Sequence, residues 1–271
     1  MQGDSSNGHK VTLFSGQNIP LELHKVRVVQ KLFLLPIEQR LRAIREAGFN
    51  SFLLNTKDTF LDMLTDSGCN AMSDRQIAAM MVADDAYAGS QSYLRMESKV
   101  QELFDKHFVL PVHQGRAAEN IIGKTFIQPG DHIPMNYHFT TTKAHFELNG
   151  GTLHEIFGDE ALKIKSDHPF KGNMDIQKLR NLIDAKGKDK IPFIRLEAAT
   201  NLIGGQPFSM ENMREVRKVA DEFGIIIVLD ASLVGENAYF IKQREAGYAN
   251  KSIADILMEM SSLSDLIYFS A

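Results

Sequence analysis

The sequence runs to 271 residues, longer than the usual single domain of about 100–150, so it holds one large domain or two smaller ones. With 44% hydrophobic and 24% charged residues it can bury a real core, and its net charge of −4 leaves no electrostatic footprint for nucleic acid or an anionic membrane. No apolar run approaches the roughly 18 residues of a membrane span, no basic-then-apolar leader is visible, and the single Cys69 excludes an internal disulfide framework or a cysteine-cluster zinc site. A cytoplasmic, reducing setting is the expectation.

Residues 1–17 are small and polar and read as a loose tail. Over Pro36 to Phe49, the spacing of Ile37, Leu41 and Ile44 predicts a helix with one apolar stripe, opened by Pro36 and closed by Gly48. Ser73 to Val82 and Ser90 to Phe104 read as further helices, the first on an N-cap serine. Phe108 to Val112 reads as a strand, followed by a helix from Arg116 to about Phe126. Strands are expected at Ile133 to Asn136, Thr152 to Phe157, Ile191 to Leu196, Ile225 to Leu229 and Asp265 to Phe269. Ser209 to Phe223 is a strong helix with Met213, Val216, Ala220 and Phe223 facing inward and Gly224 ending it. Continuous apolar strands alternating with amphipathic helices predict an α/β fold with a mostly parallel central sheet.

In such sheets ligands bind beyond the carboxyl ends of the strands. The chemistry-bearing residues cluster there: His113-Gln114-Gly115-Arg116, Asn201, Asp230 and Ser270. Gln114-Gly115-Arg116 has the makings of a phosphate cradle, because free N–H groups at a helix start favour an anion and glycine allows close approach. A glycine turn with a solvated arginine is an equally open reading. Asp230 ends the most apolar strand, where a carboxylate needs a partner. It is either a helix N-cap or the partner of a cationic ring nitrogen. The nine histidines form no metal signature and no G-x-S-x-G elbow occurs.

Several segments in order carry a resemblance. They are Leu64-Thr65-Asp66-Ser67-Gly68, Asp85-Ala86-Tyr87-Ala88-Gly89-Ser90, His113 to Arg116 with Glu119-Asn120, Phe139 to Thr142, Asn201 with Gly204 to Pro207, Glu236 to Lys242, and Ser270. Together they resemble the pyridoxal-phosphate-dependent β-eliminating lyases, the tyrosine phenol-lyase and tryptophanase family, from about Pro20 to Ala271. The tyrosine phenol-lyase branch is the nearer of the two.

The resemblance implies a fold type I large domain beginning near residue 73 and incomplete at the C-terminus, an N-terminal arm over residues 18–72, and a homotetramer. It implies that Gln114, Gly115, Arg116 and Ser270 hold the phosphate of pyridoxal 5′-phosphate. Phe139 would stack on its ring, Asp230 would pair with the ring nitrogen, and Asn201 would bond the phenolic oxygen. Thr65 and Ser67 would hold the substrate carboxylate, and Tyr87, serving a neighbouring subunit's site, would protonate the leaving group. Thr140 would select tyrosine, where tryptophanases carry aspartate. Gly68 and Asp85 would bind a monovalent cation such as K+. The implied reaction converts L-tyrosine to phenol, pyruvate and ammonia.

The sequence departs from the family twice. Leu233 stands where an arginine contacts the cofactor oxygen, and a leucine supplies neither that hydrogen bond nor its charge. The Schiff-base lysine belongs two or three residues beyond the serine matching Ser270, and no lysine of these 271 residues matches it. The expectation is that this chain alone does not turn over tyrosine. The alternatives are a catalytically dead homologue that binds pyridoxal phosphate or a full-length relative, a tryptophanase-like lyase, and, last, a generic α/β phosphate binder.

Overall fold

A computed structural model of the chain describes residues 10–20, 33–61 and 72–270. It divides into two compact units, residues 1–82 and 83–271. In the first unit, β1 (Lys10–Thr12) and β2 (Asn18–Pro20) pair antiparallel, so the last part of the expected tail is a hairpin. α1 (Ile37–Glu46) follows, and α2 (Asp74–Met81) opens on a capping box between Ser73 and Gln76. Thr65, Ser67, Gly68 and Cys69 lie outside the described residues.

The second unit begins with α3 (Gln91–Phe104), capped by Ser90. After it, the expected strand at Phe108 to Val112 does not form: Phe108 and Leu110 are 96% and 74% exposed. Pro111 has no N–H to give a ladder, and an apolar run with no sheet partner stays irregular. α4 (Gly115–Phe126), β3 (His132–Met135), α5 (Thr140–Leu148) and β4 (Thr152–Glu155) come next. Then follow α6 (Ile176–Lys186), β5 (Phe193–Glu197), α7 (Met210–Phe223), β6 (Ile226–Asp230), α8 (Val234–Arg244), α9 (Ile253–Ser262) and β7 (Leu266–Tyr268).

The five strands β3 to β7 form one sheet in the order β4-β3-β5-β6-β7, and every pairing is parallel. Side chains alternate between its faces. Ile194, Leu196, Ile227 and Leu229 pack with α6, α7, α8 and α9 in the larger core. Phe193, Val228, Ile133, Met135 and Tyr268 pack with α4 and α5 in the smaller one. Both faces are covered, which is why the strands read as near-continuous apolar runs.

Candidate active site

Asp230 ends β6 opposite Glu197 on β5 and Tyr268 on β7. It is not a helix N-cap: α8 starts from Leu233, which makes no side-chain cap. Its Oδ2 instead accepts from the Nη2 of Arg195 at 2.6 Å, and its Oδ1 accepts from Ser232 N at 3.1 Å and Ser232 Oγ at 2.8 Å. A carboxylate has about four lone-pair sites, so three bonds leave one on Oδ2 for a further donor.

Two charged residues that strand periodicity alone does not mark, Arg195 and Glu197, lie on β5 beside Asp230. Arg195 has no exposed surface and Glu197 is 5% exposed. Arg195 also donates to both Glu197 Oε2 and Tyr268 OH. Burial by itself lowers the guanidinium's pKa, but Tyr268, Glu197 and Asp230 around it more than reverse that, and it is raised above its ordinary value. Burial raises the Glu197 carboxyl against the pull of Arg195, and burial likewise raises the Tyr268 phenol. Two carboxylates around one guanidinium leave one negative charge uncompensated, which favours a cationic group beside the cluster. The signal in the sequence was two charges at alternate positions, Arg195 and Glu197, placing both on one face of an otherwise apolar strand.

The cradle residues converge beside this cluster. Gln114 precedes α4 without a side-chain cap, so the first-turn N–H groups at Gly115 and Arg116 point outward free of one. A Cβ on Gly115 would lie 3.4 Å from the Cβ of Ser270, so glycine lets the chain after β7 approach the helix start closely. Ser270 N donates to Ser232 Oγ at 3.3 Å, and that hydroxyl donates on to Asp230. Arg116 and Ser270 are exposed.

Two buried amides hold the neighbouring loop. Asn136 accepts from Glu197 N and donates to Glu197 O, Gly172 O and Thr200 Oγ1. Asn237 accepts from Ala199 N and Phe208 N and donates to Phe208 O. Ala199 sits between them at φ +48°, a left-handed conformation strained for a residue with a Cβ. This presents Asn201 on a 3-10 turn, its N–H donating to Glu197 Oε1 at 2.9 Å and its side chain exposed.

Phe139 and Thr140 stand at the start of α5, Phe139 half-buried and Thr140 exposed. Behind them the buried Glu119 of α4 accepts from Thr142 Oγ1, while its second oxygen has no hydrogen-bond partner. Asp85 and Tyr87 are not brought to this cluster by packing. Both are exposed, Tyr87 completely, in the loop before α3. The neighbouring Asp84 fastens that loop by accepting from Ser92 Oγ and N, Gln91 N and Ser90 Oγ, and these bonds hold its carboxyl well below the ordinary range.

Comparison with known proteins decides the family. A family model described as β-eliminating lyase matches residues 62–271. The chain belongs to the β-eliminating lyases. It is 51% identical over 244 residues to a tyrosine phenol-lyase of Symbiobacterium sp. (strain SC-1), covering 90% of this chain and 53% of that protein. It is 49% identical over 249 residues to a tyrosine phenol-lyase of Pasteurella multocida (92% and 54%), and 48% identical to one of Nostoc punctiforme (90% and 52%). The chain thus spans about half the length of the curated relatives it matches. Among solved structures, a putative aromatic amino acid β-eliminating lyase/threonine aldolase from Exiguobacterium sp. 255-15 superposes with a TM-score of 0.51 at 16% identity, over 74% of this chain and 52% of that one, a likeness of fold. The expected α/β fold of the fold type I class, with a mostly parallel sheet, is therefore the fold of this β-eliminating lyase chain, and its family is pyridoxal-phosphate-dependent. No helix among the described residues is long and apolar enough to cross a membrane.

Proposed function

We propose that this chain holds pyridoxal 5′-phosphate at the carboxyl ends of β5, β6 and β7, and that the whole protein is a carbon–carbon lyase converting L-tyrosine to phenol, pyruvate and ammonia. The observation that carries this reading is the continuous path from the uncapped start of α4 through Ser270 and Ser232 to Asp230. It sets an anion cradle and a carboxylate with one vacant acceptor position side by side. That donor and acceptor set fits a phosphorylated pyridine.

When bound, the cofactor supplies an electron sink for a carbanion at the substrate's α-carbon. The chain supplies binding and orientation. Gln114, Gly115, Arg116 and Ser270 bind the phosphate, Phe139 covers the ring face, and Asn201 offers its exposed amide to the ring oxygen. Asp230 accepts the ring N–H. Thr65 and Ser67 bind the amino acid's carboxylate, and Thr140 favours a phenol over an indole. Tyr87 delivers a proton to the departing ring, and its full exposure supports service to a neighbouring subunit of a homotetramer. Gly68 and Asp85 take a K+ ion, and the protein works in the cytoplasm.

Calorimetric titration of the 271-residue chain with pyridoxal phosphate tests the cradle. Gly115→Val puts a branched side chain against Ser270 and is expected to weaken binding at least about tenfold; undiminished binding overturns the reading. Leu233, half-buried ahead of α8, favours a second reading in which the chain holds the cofactor or a full-length relative without turnover. On either reading these 271 residues alone release no pyruvate from L-tyrosine, and measurable pyruvate refutes that.

A further inference from the structure

The resemblance places a guanidinium beside the cofactor at residue 233, and a leucine stands there. Yet a guanidinium does touch the ring-nitrogen carboxylate, from within β5. All five N–H groups of Arg195 are engaged: Nε with Tyr268 OH at 2.9 Å, Nη1 with Tyr137 O at 3.1 Å and Glu197 Oε2 at 3.0 Å, and Nη2 with Glu197 Oε2 at 3.1 Å and Asp230 Oδ2 at 2.6 Å. A planar fork with every donor engaged has one place to sit. Stability is weak grounds for such a cluster, because apolar side chains of similar volume often hold a core as well as buried ions do.

We propose that Arg195 is the positioning residue of this site, pinning the Asp230 carboxylate from behind so that the proton shared with a bound ring nitrogen stays on the nitrogen. The inference rests on the reading of Asp230 given under Proposed function. Its physical basis is the short Arg195–Asp230 bond. Moving the ring proton onto Asp230 would exchange a charge-assisted hydrogen bond for one to a neutral acid. It would also leave Glu197 as the guanidinium's only anionic partner. With Oδ2 fixed by Arg195 and Oδ1 by Ser232, the carboxylate cannot rotate away, and its one vacant lone pair keeps a fixed direction.

The test uses pyridoxamine 5′-phosphate labelled with 15N in the ring, which has no aldehyde to react with surface lysines. It is titrated onto the 271-residue chain and followed by 15N NMR, in which protonated and unprotonated ring nitrogens are well separated. Arg195→Met combined with Glu197→Gln removes the guanidinium without leaving a second carboxylate facing an empty space, and it keeps Asp230. The nitrogen is expected to be protonated in the unmodified chain. In the double variant it should shift toward the unprotonated position, with affinity weakened about tenfold. Arg195→Lys keeps the charge and loses the fork, so the nitrogen should stay protonated while affinity drops severalfold. A ring nitrogen that is equally protonated in the double variant, or unprotonated in the unmodified chain, overturns the inference and leaves the binding site standing. If the double variant does not fold, Arg195→Lys decides, and an affinity within about twofold of the unmodified chain overturns the inference. If the folded, unmodified chain binds no pyridoxamine phosphate, the site reading itself fails and this inference falls with it.

Discussion

Helices α1 and α7 carry the same apolar rhythm and meet opposite fates. In α7, Met213, Val216 and Ala220 are fully buried against the sheet. In α1, Ile37 and Leu41 remain 63% and 44% exposed, and no residue of the helix is buried. A helix's period names its apolar face but not the partner that covers it. Between these extremes lies the edge strand β4, where His154 and His132 of β3 are half-buried with ring nitrogens 2.9 Å apart.

The largest effect should come from α7. Met213→Ala is expected to cost about 2–5 kcal/mol by chemical denaturation, because a fully buried side chain is replaced by a cavity. A cost near zero would break the contrast at its strong end. The edge strand should give a smaller effect, and one that depends on pH. Burial, then the Lys186 charge, lowers His132 from its ordinary 6.5; burial, then His132 and Lys186, lowers His154. The folded chain therefore binds these protons less readily than the unfolded chain. Stability is full above pH 6.5, falls as pH drops through 6.5, and levels off below the folded values. The expected change is under about 1 kcal/mol, since both rings are partly exposed. Urea midpoints between pH 7.5 and 5 measure it, and a slope unchanged in His154→Gln would falsify the assignment to this pair. Smallest of all, Leu41→Ser in α1 should move the main unfolding midpoint by less than about 0.5 kcal/mol. A larger loss would mean that this stripe is already covered in solution.

Much of the site was legible because strand ends and helix starts announce themselves. The continuous apolar run before Asp230 and the glycine opening α4 place the end of β6 and the start of α4 within a residue. What escaped was whatever depends on pairing across the sheet. Arg195 and Glu197 lay inside a segment that periodicity assigned to a strand, and nothing local says that Asp230 would face them. Asn136 and Asn237 act through loops distant in sequence. α5 was missed because it opens on Thr140, Thr141 and Thr142, β-branched residues with weak helix propensity. Phe108 to Val112 reads as a strand but stays irregular, because apolar character alone does not say that a segment finds a partner to bury it. Tyr87 carries no local signal for chemistry; its proposed role comes from the resemblance alone.

The all-parallel sheet has a kinetic consequence. No strand of this five-stranded sheet meets its neighbour through a hairpin, so β5 and β6 pair only after α7 has been threaded between them. Folding is then governed by loop closure over long stretches of chain, which makes it slow. Arg195, Glu197 and Asp230 stay hydrated until that pairing, so the cluster is buried no earlier than the step that sets the rate.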